Sequence, residues 1–294
     1  MTQQSSIPAH KRNREKVTGT RTVLPTNEIR IEIADICVAL RCDNARFIEQ
    51  AKKWYKGFLS TASPLVTVNV LISDTLQGDT SRGLLTFFTD STASLIFHQA
   101  RGYIDTEQGI GQLEMAPPFA LEHPDSLEIF LRALYSRLCV RNNGFLLHAA
   151  GIAKDSEGYL FLGQSGSGKT TVSRVSANCK ILSDDLVIVR AINGVWKVFG
   201  TPFRGGVDTQ EKTSESVEIR AFFGLVKDEK VFFERLDYPR AVAELISSTP
   251  MVHQDPTLSE DVIGLCSDIA RKIPGYRMHF LLDNSFWRYI DELA

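Results

Sequence analysis

No stretch of the sequence approaches the ~18 consecutive apolar residues of a membrane-crossing helix, so no helical anchor is expected. Cysteine is scarce and unpatterned. Cys37, Cys42, Cys139, Cys179 and Cys266 include no C-x-x-C pair and are odd in number, which argues against a disulfide framework or a zinc site. Reduced, mostly buried thiols of a cytoplasmic protein are expected instead. An excess of one charge is missing too. The 33 Lys+Arg against 35 Asp+Glu leave a formal net charge of -2, which speaks against a general nucleic-acid binder but leaves room for a local basic patch. There is no internal repeat and no low-complexity tract. The opening MTQQSSIPAHKRNREK has no apolar segment after its basic residues, so no secretory signal is expected. The 294 residues, 43% hydrophobic and 23% charged, suffice for one large or two small domains whose core needs no staple.

Residues 1–27 are polar and carry Lys11, Arg12, Arg14, Lys16 and Arg21, a composition that reads as a solvated basic arm. From Glu28 the pattern changes. Ile29, Ile31 and Ile33 alternate with polar neighbours as in a half-buried strand, and Ile36–Leu40 reads as a second. Asn44 is placed to cap a helix over Asn44–Leu59. Val66–Ile72, Leu84–Thr89 and Ser94–His98 are further β-rich runs. Residues 28–142 thus read as a small α+β domain without evident chemistry, in which His98 and His123 are structural or solvated. Ser126–Arg141 has helical periodicity, with Gly144 as its stop. Phe145–Ala153 and Tyr159–Leu162, joined by Asp155-Ser156-Glu157-Gly158, read as a β-hairpin opening a second domain over 143–294.

The hairpin feeds Gly163-Gln164-Ser165-Gly166-Ser167-Gly168-Lys169-Thr170-Thr171, a full match to G-x-x-x-x-G-K-[ST]. Its glycines let the backbone curl with N–H groups pointing inward. Together with the start of the following helix, Lys169–Ala177, these make an anion site. Lys169 can reach the β- and γ-phosphates of a nucleoside triphosphate, and the Thr170 hydroxyl can touch Mg²⁺. ATP and Mg²⁺ are therefore the expected ligands.

A β-like run, Ile181–Val189, is interrupted by Asp184 and Asp185, only fifteen positions after Lys169. Two adjacent carboxylates in an apolar strand are costly unless a cation or a proton role compensates them. A surface turn at Ser183-Asp184-Asp185 is the other reading. His148 alone would be a core residue of its strand, but a hairpin would return that strand alongside the loop. Arg204 is a candidate second cation over the phosphates, or a solvated loop arginine. Gly205–Val217 is a long polar stretch that suits a lid or a plain surface loop. Ile219–Val226, Val231–Phe233 and Tyr276–Leu282 read as strands, and Pro239–Ser247 and Leu258–Lys272 as helices.

Leu147-His148-Ala149-Ala150, the strand and Gly163–Thr171 loop that follow, and Leu182-Ser183-Asp184-Asp185 together resemble the nucleotide-binding domains of HPr kinase/phosphorylase and phosphoenolpyruvate carboxykinase. The resemblance runs from about Gly144 to Arg204. The loop end Lys-Thr-Thr looks more like the carboxykinase version. Thr201–Gly206 and the stretch Tyr276–Ile290 with Phe286-Trp287 look like the diverged HPr-kinase-like proteins of peptide-modification gene clusters, including lasso-peptide tailoring kinases.

The resemblance implies an α/β fold, a mixed-sheet P-loop kinase domain of HPr kinase/PEP carboxykinase type behind the small α+β domain. It implies an ATP-dependent kinase that phosphorylates a hydroxyl, most readily serine, on a peptide or small protein. The family's catalytic aspartate falls on Asp185 or Asp184 and its active-site histidine on His148. The assignment adopted is Asp185 as base, with Asp184 and Thr170 on Mg²⁺. The downstream signature is hinted at by Glu218-Ile219-Arg220, without the glycine-rich run that should follow it. A small-molecule hydroxyl kinase and a non-catalytic ATP-binding module are the alternatives. No membrane or nucleic-acid partner is expected, and homo-oligomerisation is left open.

Overall fold

A computed structural model describes residues 27–73, 76, 85–97, 100–117, 125–176, 178–203, 212–250 and 255–293. It is a mixed α/β structure with two mixed sheets and, among the described residues, six α-helices.

The chain begins with β1 (Glu28–Ile33) and β2 (Ile36–Arg41), joined by Ala34 and Asp35, both at positive φ as a two-residue hairpin turn requires. Helix α1 (Ala45–Trp54) follows, with the Asn44 side chain accepting from the Phe47 N–H. It stops at Trp54 rather than running to Leu59; Tyr55 caps it and a 3₁₀ turn, Lys56–Phe58, takes over. Strands β3 (Val66–Ile72), β4 (Leu85–Phe88), β5 (Thr92–Phe97), β6 (Ala100–Asp105) and β7 (Ile110–Met115) complete a sheet of order β1-β2-β3-β7-β6-β5-β4. The pairs β2–β3 and β3–β7 are parallel and the others antiparallel.

Helix α2 (Asp125–Arg141) packs against both sheets. It is buried almost all round, as a helix between two layers must be. Tyr135 Oη donates to the carbonyls of Ile31 (3.1 Å) and Ile36 (3.2 Å), pinning it to the first hairpin. Leu127, Phe130, Leu131 and Leu134 share one core with Ile31, Val38 and Val68 from the first sheet and with Leu146, Leu186 and Ile188 from the second. Gly144 does not stop this helix. Asn143 takes the left-handed position (φ 58°) and Gly144 is already strand.

The second sheet is built on β8 (Gly144–Lys154). Asp155 and Ser156, at φ 51° and 68°, turn it directly into β9 (Glu157–Leu162), a tighter loop than the four residues expected. Helix α3 (Lys169–Val175) ends two residues before Ala177, tied by the Ser176 hydroxyl to the Val172 carbonyl and by Trp287 Nε1 to that hydroxyl (2.8 Å). Then come β10 (Lys180–Ser183), β11 (Leu186–Ile192), β12 (Val195–Phe199), β13 (Ser216–Lys227), β14 (Phe232–Arg235), α4 (Tyr238–Ser247), α5 (Ser259–Lys272), β15 (Gly275–Phe280) and α6 (Phe286–Asp291). Strands β9, β13 and β15 are mutually parallel, with α3 and α6 over one face and α4 and α5 over the other.

All five cysteines are free, four of them buried, and burial raises every thiol, Cys37 to about 11 and Cys266 to about 12. No helix among the described residues is long and apolar enough to cross a membrane.

Candidate functional site

Strand β8 gathers the site because its two halves have different neighbours. Its second half pairs with β9, so Leu162, the last residue before the glycine-rich loop, lies opposite Ala149. On its other edge β8 pairs first with β10 and then with β11. The chain therefore runs along one edge of β8, with Ser183 opposite Gly151 and Leu186 opposite His148, and Asp184 and Asp185 between them. At those two residues the ladder is interrupted. The Ser183 hydroxyl accepts instead from the N–H groups of Asp185 (3.4 Å) and Leu186 (3.3 Å). The predicted run Ile181–Val189 is thus two strands with the acids at the joint.

The loop Gly163–Gly168 leaves the end of β9. Gly163 and Gly168 have φ of 149° and 116°, and both are crowded. A Cβ on Gly163 would stand 2.5 Å from Ser167 Oγ, and one on Gly168 would stand 2.7 Å from Phe280 Cζ. The Ser167 N–H donates to the Gln164 carbonyl (3.1 Å) and closes the turn. The Ser167 hydroxyl is buried there without a hydrogen-bond partner, a donor that an anion's oxygen would satisfy. Lys169, 7% exposed, folds back so that Nζ donates to the carbonyls of Gly163 (2.5 Å) and Gln164 (3.2 Å). Burial lowers its pKa, and Asp185 partly opposes the shift. Gln164, Ser165 and Gly166 are exposed, Thr170 and Thr171 half-buried in the first turn of α3.

His148 Nδ1 lies 3.2 Å from Asp185 Oδ1. Burial pushes the imidazole below its ordinary value; Asp185 opposes this, while the positive charges of Lys169 and Arg132 add to it. The His148 N–H donates to the Ser248 carbonyl (2.7 Å), which fixes the backbone from the side of α4. The structure thus brings His148, Lys169 and Asp185 together, with Asp184 adjoining.

Two cations at this site were not singled out by the sequence. Lys212, within the polar stretch Gly205–Val217, brings Nζ to 3.7 Å from Asp184 Oδ1. Arg132 of α2 acts on His148, pairs with Glu128 and stacks over Phe203 (5.8 Å). Only the apolar face of α2 was legible, and a lysine in a polar run carries no distinguishing pattern. Arg204, His98, His123, residues 205–211 and the basic arm through Thr26 lie outside the described residues. Ser216 and Val217 belong to β13, so the polar stretch ends at Glu215, which pairs with Lys180. Glu218 and Arg220 are exposed on β13, and Arg220 faces Glu157 rather than the loop.

Among the described residues no cluster of three or more His, Cys, Asp or Glu marks a metal site, while Asp184 and Thr170 carry oxygens of the kind Mg²⁺ takes. Carboxylate and hydroxyl oxygens are the hard ligands it prefers, and the Lys212 contact shows that Asp184 attracts positive charge. Asp184 and Thr170 would hold the ion.

Residues 126–294, more than half of the chain, match the family model described as "SynChlorMet cassette protein ScmC". The match starts within α2 and takes in the whole second sheet. Among solved structures, the Hpr(Ser) kinase/phosphatase from Coxiella burnetii aligns at 14% identity over 31% of this chain and 70% of that chain, with a TM-score of 0.25. No curated protein matches. The chain belongs to the SynChlorMet cassette protein ScmC family.

Proposed function

We propose that this protein is an ATP-dependent kinase that transfers the γ-phosphoryl group to a hydroxyl, most readily a serine, of a peptide or small protein. The observation that carries the reading is the meeting of three groups around strand β8. The ammonium of Lys169 lies in a glycine-rich loop, and the His148–Asp185 pair, 3.2 Å apart, interacts electrostatically with it. Such a loop binds triphosphate oxygens through main-chain N–H groups, and Lys169 adds a positive charge where the γ-phosphoryl group moves. Asp185 takes the proton of the acceptor hydroxyl, with His148 holding its carboxylate in place. The hydroxyl oxygen bonds to the γ-phosphorus as the bond from that phosphorus to the bridging oxygen breaks, and the nucleoside diphosphate leaves. Mg²⁺, when bound, supplies charge neutralisation on the phosphates. The protein's own contribution is positioning and electrostatic stabilisation.

The test is incubation with ATP·Mg²⁺ and peptides encoded in the same gene cassette, followed by mass spectrometry for one added phosphate. Asp185→Asn is expected to abolish transfer and keep nucleotide binding by calorimetry. Undiminished transfer in that variant removes Asp185 as the base. Tight ATP binding with no transfer to any peptide, amino acid or small alcohol would favour a non-catalytic nucleotide-binding module.

A further inference from the structure

A second concave site lies at the opposite end of the parallel strands. Strand β9 leaves it at Glu157 and reaches the loop at Leu162, five steps along, a separation of roughly 17 Å at ~3.3 Å per residue. The cleft has a volume of about 600 Å³, within the range of small-molecule sites. Its floor is an aromatic stack. Tyr159 and Phe223 have ring centroids 6.5 Å apart at 30°, and Phe223 and Tyr276 have theirs 5.6 Å apart at 20°.

The rim is cationic, and its charges divide into two groups. Arg220 lies 3.7 Å from Glu157 and Lys272 lies 2.8 Å from Asp268. The acids Asp155 and Asp291 both contact Lys154. Arg235 and Arg271, both exposed, form no ion pair among the described residues. The Arg271 guanidinium stands 5.1 Å over the Tyr238 ring, which orients it without neutralising it. The C-terminus of α5 accounts for Arg271 and Lys272, since basic residues suit that end of a helix. It does not account for Arg235, which arrives from β14, directly across the ladder from Tyr276. Arg235 and Arg271 line the same cleft as this buried aromatic stack. Although Arg271 feels the charge of Asp268, neither guanidinium has a carboxylate of the described residues at ion-pair distance, an arrangement that matches one chemistry: a carboxylate or phosphate attached to a flat apolar group.

We propose that this cleft binds a small anionic ligand of that kind, its anion held by Arg235 and Arg271 and its ring lying on Tyr276. The site is separate from the glycine-rich loop and does not depend on the kinase reading. Calorimetric titration of the full chain with phenyl phosphate, phenylacetate and inorganic phosphate tests it. At least one aryl anion is expected to bind saturably with Kd below ~1 mM. Arg235→Ala/Arg271→Ala should weaken that binding by about tenfold or more, and Lys169→Ala should leave it unchanged. The preferred aryl probe identifies the anion as phosphate or carboxylate. Both substituted side chains are exposed, so an unaltered melting curve for the double variant checks its fold. Absence of saturable binding by either aryl anion overturns the proposal, as does full binding by the double variant or loss of binding in Lys169→Ala. Equal affinity for inorganic phosphate overturns the part assigned to the ring.

Discussion

Lys212 Nζ stands 3.7 Å from Asp184 Oδ1, so one of the two adjacent carboxylates faces a cation delivered from twenty-eight positions further along the chain. The side chains are 20% and 14% exposed, so the charges are poorly screened and the contact is stronger than an ordinary surface pair. The backbone of Lys212 is wedged as well, its carbonyl 3.2 Å from where a Cβ on Gly57 would sit. Any divalent ion at Asp184 must compete with this ammonium. Lys212→Met should therefore tighten Mn²⁺ binding to the nucleotide-free protein by about five- to tenfold, the scale of one neighbouring charge at intermediate dielectric. Electron paramagnetic resonance of free Mn²⁺ measures this directly. Unchanged affinity would remove either Lys212 or Asp184 from the metal's surroundings.

Loss of Lys169 should be felt strongly in the rate. Its ammonium is buried, drawn toward two loop carbonyls, and brought close to Asp185. Lys169→Ala should cost about 3–4 kcal/mol of transition-state stabilisation, a 10²–10³-fold drop in kcat, because it removes a preorganised positive donor from a partly dry site. Phosphate transfer at saturating ATP reads the effect. A near-normal rate would show that the lysine binds ground state and transition state alike.

The alternation of Ile29, Ile31 and Ile33 and the capping signal at Asn44 were readable because each is a local pattern answered by local structure. Strands β6 and β7 were not read. Arg101, Gly102 and Gly109 break the periodicity there, and what makes the strands is their pairing with β5 and β3, a non-local fact. At the site, the loop and the acid pair were legible as residue types. Their proximity was inferred from the short span between Lys169 and Asp184, and the structure makes the reason specific: β8 carries β9 on one edge and the β10–β11 joint on the other. Lys212 and Arg132 had no signature, since a cation's role depends on which carboxylate or imidazole the fold sets before it.

His148 should leave a mark on the pH dependence of stability. Burial lowers its folded pKa below the ordinary 6.5, with Lys169 and Arg132 reinforcing the shift and Asp185 resisting it. Above 6.5 the imidazole is neutral in both states and contributes no slope. As pH falls through that value the unfolded chain takes up a proton first, so stability is lost until the folded pKa is reached, and the slope then vanishes. His148→Gln lacks this proton uptake. The parent protein should lose more Tm than the variant between roughly pH 7.5 and pH 5.5. Parallel Tm–pH curves would show that the imidazole titrates alike in both states.

The buried pair Arg137–Asp255 ties the two sheets together. The side chains are 2% and 0% exposed, and Arg137 also donates to the carbonyls of Thr89 (2.5 Å) and Asp90 (2.9 Å) at the β4–β5 turn. Asp255 in turn accepts from the N–H and hydroxyl of Thr257, at the entry to α5. One guanidinium thus joins α2, the first sheet and the α5 segment. Removing the carboxylate leaves a desolvated cation with only neutral acceptors, which typically costs 3–5 kcal/mol. Asp255→Ala should lower Tm on the order of 10 °C, given about 2–4 °C per kcal/mol for chains of this size class. Arg137→Met/Asp255→Ala should recover part of the loss, because an apolar pair incurs no charge desolvation. Recovery would be incomplete, since the Thr89 and Asp90 carbonyls lose their donor. A single variant that melts within a degree or two of the parent would show that the guanidinium reaches water, and that the junction between the sheets is held by the apolar core around α2 alone.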